Sequence, residues 1–399
     1  MKISKNFSHP LMENNITKPD LEKVITFLKK KNILLTQGSN VFDFEKKWSK
    51  WLGVKYSTFV NSGSSANLIS MSILKIMSKN DRNEIIVPSL TWSSDVSSVI
   101  LNNFKPIFTD ICLDNLSMNE DQIYKSINKK TLAVFLTHAQ GFNGLSDHLL
   151  FFLKKKGIAL IEDVCESHGA TFKEKKLGSF GLISNFSFYF AHHLSTIEGG
   201  MVCTNDKKIY QLSRILRSHG MAREIGNIKD ENKIISRYPK LSPKFIFLYP
   251  GYNFRNTEIG AVIGLNQLKR LDKNNKLRTK NFLFFLNNLN QKNYHVNFNV
   301  EGSSNYAFPL ILKKKNFSNR KILEKTLNKY NIEFRRGNAG GGNQLRQPYL
   351  KNYVKGINMK NYPNVDHVHF FGYYIGNYPT LTKKKIFALC QILNSIKYV

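Results

Sequence analysis

Residues 56–88 constrain the fold class more tightly than any other stretch of the chain. Tyr56-Ser57-Thr58-Phe59-Val60 reads as a strand, Asn61-Ser62-Gly63-Ser64-Ser65 as a turn, Ala66 to Met77 as a helix, and Glu84-Ile85-Ile86-Val87-Pro88 as a second strand. Strand, short turn, helix, strand is a βαβ unit, which implies a parallel sheet with right-handed crossovers. Apolar runs at 106–109, 131–137 and 158–162 continue the pattern, with a helical segment between the last two. Strands so continuously apolar are buried on both faces. The expectation is an α/β fold around a mostly parallel central sheet.

Ahead of this unit, Leu21, Val24, Ile25 and Leu28 recur at helical spacing behind Thr17-Lys18-Pro19, which predicts an amphipathic first helix. A second runs from Val41 through Phe44, Trp48 and Leu52, with Gly53 placed to end it. Further on, a helix is expected over 207–218, an irregular excursion over 226–250, and one long helix from Thr257 to about Asp272 that bridges two domains. From about residue 275 the pattern becomes α+β. It comprises a strand at Tyr306–Leu312, a helix at Ser318–Tyr330, a glycine-rich loop at Gly337–Gly342, and a last helix with Ile386, Leu389, Leu393 and Ile396 on one face. Residues 1–274 are thus read as an N-terminal segment with a large α/β domain, and 275–399 as a small α+β domain.

Composition narrows the function. Four widely separated cysteines without a C-x-x-C pair argue against a disulfide framework, a metal site or an iron–sulfur cluster. No basic segment leads into an apolar leader and no run of 18 apolar residues occurs, so a soluble, cytoplasmic protein with no membrane partner is expected. The net charge of +31 raises nucleic acid as a partner. Its lysines are scattered in short runs such as Lys29-Lys30-Lys31 and Lys383-Lys384-Lys385, however, which is a bias of the whole chain and not a patch. No nucleic-acid partner is expected; a field of this sign favours an anionic, phosphorylated substrate.

Four places could carry chemistry. Ser62-Gly63-Ser64-Ser65 between strand and helix is either an anion cradle or an ordinary helix cap. Ile161-Glu162-Asp163 ends a strand at the sheet edge where α/β folds bind ligands, so its acids either pair with a protonated ring nitrogen or cap the next segment. Trp92, just past the strand ending at Pro88, is either a stacking surface for a flat cofactor or a core residue. In residues 184–204, the alternation of Phe186, Phe188 and Phe190 reads as a strand. His192 and His193 follow, and Glu198-Gly199-Gly200 turns into a second short strand.

These elements fall within an ordered series: Thr36-Gln37-Gly38 with Phe44-Glu45, Asn61 to Asn67, Ile85 to Pro88, Glu162-Asp163, Ser187-Phe188-Tyr189, Glu198-Gly199-Gly200 and Gly251-Tyr252-Asn253-Phe254-Arg255. The series resembles the DegT-type sugar aminotransferases, fold type I pyridoxal-phosphate enzymes that act on nucleotide-linked keto sugars; the C-terminal third matches only in pattern. The resemblance implies an aspartate-aminotransferase-like large domain. It also implies that Gly63, Ser64 and Ser187 hold the cofactor phosphate, that Asp163 pairs with the pyridine nitrogen and that Trp92 lies against the ring; Glu166 and His168, which follow the Asp163 strand, are placed to touch the ring substituents. Asn253 would reach the cofactor phosphate of a neighbouring subunit, so a homodimer with a shared active site is implied.

In that family the lysine forming the internal Schiff base stands six residues before the acid of the Glu/Asp-Gly-Gly motif, and here that position is His192. Histidine can move a proton but cannot anchor an aldehyde covalently. With the Thr-Ile-Glu-Gly-Gly continuation it resembles the branch that removes the C3 hydroxyl of a nucleotide-linked 4-keto-6-deoxy sugar, foremost GDP-4-keto-6-deoxymannose, on routes to O-antigen deoxysugars. That branch implies non-covalent pyridoxal/pyridoxamine 5'-phosphate, with glutamate restoring the amine form. His219, in Arg217-Ser218-His219-Gly220, either acts in catalysis, contacting the sugar hydroxyls or assisting departure of the C3 oxygen, or caps a helix; Arg335, Arg336 and Asn338 either embrace a nucleotide diphosphate or form a solvated turn. A nucleotide-sugar aminotransferase and a catalytically silent family member are the other readings.

Overall fold

The computed structural model describes residues 7–78 and 81–399. Helices α1 (Lys18–Leu28) and α2 (Ser39–Leu52) come first; Asp20 reaches back to the Thr17 N–H at 2.8 Å to start α1, and a left-handed Gly53 ends α2. The alternating core follows as β1 (Tyr56–Val60), α3 (Gly63–Met77), β2 (Glu84–Pro88), α4 (Ser93–Leu101), β3 (Lys105–Thr109), α5 (Glu120–Ser126), β4 (Thr131–Thr137), α6 (Asp147–Lys156) and β5 (Ala159–Asp163). A small hairpin of β6 (Thr171–Phe172) and β7 (Lys175–Lys176) precedes β8 (Ile183–Ser187) and β9 (Gly200–Thr204).

Seven strands form one sheet in the order β1-β9-β8-β5-β4-β2-β3. Every pairing is parallel except those of β9, which runs antiparallel to both β1 and β8. The expected mostly parallel α/β sheet is present, but the two strands of the opening βαβ unit are not neighbours. Strands that occur later in the chain insert between β1 and β2, so α3 crosses the sheet. Both faces are covered, and the pleat sorts the apolar runs between them. Ile85, Val87, Ala133 and Phe135 enter the core under α3 and α4, whereas Ile86, Val134 and Leu136 enter the core that includes Trp48 and Phe44 of α2.

Three expectations need correction. The strand around Phe186 stops at Ser187: the Phe188 N–H still bonds to the Gly199 carbonyl at 2.8 Å, but the chain then turns, with the His192 N–H on the Tyr189 carbonyl at 3.0 Å, so Phe190 lies outside the strand. The 226–250 excursion contains a helix, α8 (Ile228–Ile235), whose first N–H groups Asn227 caps after α7 (Lys207–Arg217) has ended. The single long helix is two, α9 (Glu258–Leu268) and α10 (Leu271–Asn288). They part at Arg270, whose guanidinium is drawn to Asp20 at 2.5 Å and to the Asn15 carbonyl at 2.9 Å.

From α10 onward lie β10 (Ala307–Ile311), α11 (Phe317–Lys329), β11 (Phe334–Arg336), α12 (Pro363–Phe371), β12 (Gly372–Gly376) and α13 (Lys383–Asn394). Their antiparallel sheet has the order β10-β12-β11, and α10 packs against α13. No helix among the described residues is long and apolar enough to cross a membrane.

Candidate active site

A cavity of about 540 Å³ opens at the carboxyl edge of the large sheet, the edge where α/β sheets bind ligands. Its floor comes from the ends of β4, β5 and β8 with the first turns of α3 and α4; β11, β12 and the residue before β10 supply the opposite wall. Leu11 and Met12 of the N-terminal segment close one side.

Gly63 and Ser64 open α3 directly into this cavity, beside Ser187. The approach is tight: a Cβ on Gly63 would stand 2.6 Å from Ser187 Cβ, and one on Gly200 would stand 2.2 Å from the Ser62 carbonyl oxygen. Only glycine lets the strand ends and the helix start meet here, leaving free helix N–H groups and two hydroxyls around one point. Ser62 accepts from the Ser65 N–H at 3.0 Å, so the cap and the cradle coexist.

The two acids ending β5 separate. Glu162 is fully buried away from the cavity and accepts the N–H groups of Gly178, Phe180 and Gly181 at 2.7, 3.0 and 2.6 Å. It shapes the turn into β8. Asp163 faces the cavity, with Oδ1 accepting the Cys165 N–H at 2.9 Å and Oδ2 accepting from Asn67 Nδ2 at 3.1 Å. Trp92, 58% exposed, presents its indole to the same space. Glu166 lies there too, its Oε2 accepting the Gln140 N–H at 2.7 Å; burial first, then the Asp163 charge, raise its pKa to about 7.

His192 and His193 diverge. His193 is buried, its Nε2 meets the Ser304 carbonyl at 2.8 Å, and its ring stacks on His168 at 5.2 Å. His192 lines the cavity, held from behind by Asn15, whose Nδ2 donates to the His192 carbonyl at 3.0 Å. Among the described residues its Nδ1 is enclosed without a partner, leaving Nε2 as the nitrogen able to meet a ligand. Burial, with Arg278 adding to it, lowers the His192 pKa to about 4. At neutral pH it is a free base.

Of the remaining expected residues, Arg335 lines the cavity. Arg336 is paired instead with Glu324 at 2.9 Å, and Asn338 is buried behind the wall. His219 and Asn253 lie on the surface outside their own chain's cavity, side by side: the His219 N–H donates to the Tyr252 carbonyl at 2.6 Å and Ser218 bridges to Asn253.

Three cavity residues escape a reading of the sequence. Asp95 sits in the first turn of α4, where an acid ordinarily just satisfies the helix dipole. Tyr306 precedes β10 and Tyr374 is the central residue of β12, short strands with no motif around them.

A phosphate-sized cradle at a helix N-terminus, facing an aspartate across a flat aromatic, on this sheet, is the arrangement of fold type I, aminotransferase-like enzymes. The chain matches their architecture along nearly its whole length. It belongs to the DegT/DnrJ/EryC1/StrS aminotransferase family, whose pattern matches residues 14–393.

Among relatives, GDP-4-keto-6-deoxy-D-mannose 3-dehydratase of Escherichia coli O55:H7 is 31% identical over 366 residues, covering 90% of this chain and 93% of that one. A solved GDP-4-keto-6-deoxymannose-3-dehydratase with a trapped PLP-glutamate geminal diamine superposes with a TM-score of 0.88 at 29% identity, covering 97% of this chain and 100% of that one. A histidine-to-asparagine variant of that enzyme with bound GDP-perosamine gives 0.87 at 29% identity, with the same coverage.

Proposed function

We propose that this chain is a pyridoxamine-phosphate-dependent 3-dehydratase of a nucleotide-linked 4-keto-6-deoxy sugar, with GDP-4-keto-6-deoxymannose as substrate and glutamate as amino donor. One observation carries the reading: among the described residues lining the cavity there is no lysine, and His192 is the one imidazole. The dehydratase relatives with their PLP, glutamate and GDP-sugar ligands support it.

The residues present fit the cofactor. Gly63, Ser64 and Ser187 would hold its phosphate, Asp163 its ring nitrogen, Trp92 one ring face, and Glu166 its ring substituents. When bound, pyridoxamine 5'-phosphate supplies an amine that condenses with a ketone and a ring that accepts electrons. Without lysine the chain holds it non-covalently. His192 is the base: neutral at working pH, it takes a proton at Nε2 and can return it. Arg335, the one cation on the cavity wall among the described residues, suits a carboxylate or phosphate.

The site is completed by a second copy. The apolar face of α1 is left exposed, with Leu21 at 51%, Ile25 at 52% and Leu28 at 43%, which a homodimer would cover. The strip bearing His219 and Asn253 would then serve the partner's cavity. Residues 1–274 and 275–399 form its two domains, with α10 running across the boundary, and the cytoplasm is its location.

Product analysis tests the reading. With pyridoxal phosphate, glutamate and GDP-4-keto-6-deoxymannose, the protein is expected to yield 2-oxoglutarate, ammonia and a 3-deoxy sugar; CDP-, UDP- and dTDP-linked substrates rank the nucleotide. Nitrogen retained at C4 would establish an aminotransferase, and no 2-oxoglutarate under any condition a silent family member.

A further inference from the structure

The elimination needs an acid as well as a base, because the C3 oxygen leaves as water only if it receives a proton. Protonated His192 and the His219 of a second copy are candidate sources of that proton, and the cavity wall offers another. On the wall beside His192 stands a second proton-bearing group. The Tyr306 ring meets the His192 ring edge-on, centroids 5.9 Å apart. Its hydroxyl lies 3.4 Å from Glu166 Oε1 and receives Gln140 Nε2 at 3.2 Å. The backbone of Gln140 is built for this contact: at φ 54° it is a non-glycine residue in the left-handed region, and that turn aims its N–H at Glu166 Oε2. Tyr306, Glu166 and Tyr374 all face the cavity.

We infer that Tyr306, backed by Glu166, is the catalytic acid that protonates the departing C3 hydroxyl, an inference that rests on the dehydratase reading above. The C3–O bond breaks with its electron pair on oxygen, and the Tyr306 O–H proton goes to that oxygen, so water leaves. The protonated Glu166 carboxyl passes a proton from Oε1 to the phenolate oxygen and is itself reprotonated from solvent. The electron pair reaching C3 would come from the cofactor C–H bond whose proton His192 takes, so the pyridoxamine form would serve as the two-electron reductant and glutamate would restore it.

Tyr306 alone is a poor acid, since burial and then the Glu166 charge push its pKa well above the usual phenol range. Glu166, raised to about 7, is matched to neutral pH and makes the relay work. Among the described residues, the titratable and charged groups facing Glu166 are Asp163, Cys165, Tyr306 and Tyr374, with His192 and Arg335 on the same cavity wall.

The test compares the natural sugar with its 3-deoxy-3-fluoro analogue, whose fluoride leaves without a proton. Tyr306→Phe is expected to slow elimination of hydroxide by about 100-fold, the scale of general acid catalysis, while releasing fluoride at the wild-type rate. Glu166→Gln is expected to remove the decline of the hydroxide reaction above pH ~7. Without cofactor or sugar, infrared spectra should show a carboxylic C=O band titrating near neutrality, absent in Glu166→Gln and shifted in Tyr306→Phe. Equal loss on both sugars, no loss on either, or no titrating band would overturn the inference while leaving the dehydratase reading intact. A wild-type protein that eliminates from neither sugar would overturn both.

Discussion

Asp163 and Asp95 are joined through a single amide: Asn67 Nδ2 lies 3.1 Å from Asp163 Oδ2 and 2.7 Å from Asp95 Oδ1. Asp95 is fully buried and also accepts the hydroxyls of Thr91 and Thr137. Burial, then the Asp163 charge, push its carboxyl well above the usual range. A folded pKa above the unfolded value of 3.8 means that Asp95's contribution to stability is full below that pH and is lost as pH rises toward the folded pKa. Asp95→Asn should therefore match or exceed the wild type in denaturant stability at pH 8. Asp95→Ala should lose about 1–3 kcal/mol, because polar groups are left unpaired.

Asp163→Asn removes the charge meant for a ring nitrogen while keeping the amide-compatible shape. Glutamate-driven formation of 2-oxoglutarate should fall by about 100- to 1000-fold, with the melting temperature little changed. Near-normal turnover would move the charge partner elsewhere.

Acid should weaken the fold through its buried imidazoles. His9 and His192 are lowered to about 4 by burial, and His168 and His193 are lowered as well. The unfolded chain takes up these protons near pH 6.5, so stability is full above that value and falls as pH drops toward 4, by about 1.4 kcal/mol per pH unit for each histidine. His168 packs among Trp48, Phe186 and Phe188, so His168→Leu should flatten the slope measured by urea unfolding at pH 7.5, 6 and 5.

Arg217 is fully buried, its Nη1 2.6 Å from Glu45 Oε1 and 2.8 Å from the Phe59 carbonyl. The pair ties α2 to the end of α7, next to His219. Glu45→Ala leaves a buried cation unpaired and should cost about 3–5 kcal/mol in equilibrium unfolding.

If α1 forms the dimer contact, Leu21→Asp with Ile25→Asp should give a folded monomer by light scattering, without turnover. Co-expressing His192→Asn with His219→Ala should restore activity lost in each alone, since one site of the mixed dimer then holds both histidines. No restoration would mean that His219 does not serve the partner's site.

Much of this was legible in the chain. Apolar runs such as Ile85-Ile86-Val87 declare a doubly covered sheet, and Gly63-Ser64, Asp163 and Ser187 sit at strand ends where register alone brings them together. What escaped depends on distant pairing. The order of β1 and β2 is set by β9, and the break at Arg270 by Asp20 some way up the chain. Asp95, Tyr306 and Tyr374 join the cavity only through packing that leaves no local pattern. Arg335 and Arg336 are neighbours in one strand, so alternation sends one to the cavity and the other to Glu324.

The central claim is that His192 moves the proton that a lysine would otherwise move, without holding the cofactor. A single turnover of the pyridoxamine-phosphate-loaded protein on GDP-4-keto-6-deoxymannose labelled with heavy oxygen at C3 tests it most directly. Wild type should release the label as water, and His192→Asn should bind the sugar and retain the label. Release at the wild-type rate by the variant, or a wild-type product that keeps its label at C3 and gains nitrogen at C4, would contradict the account.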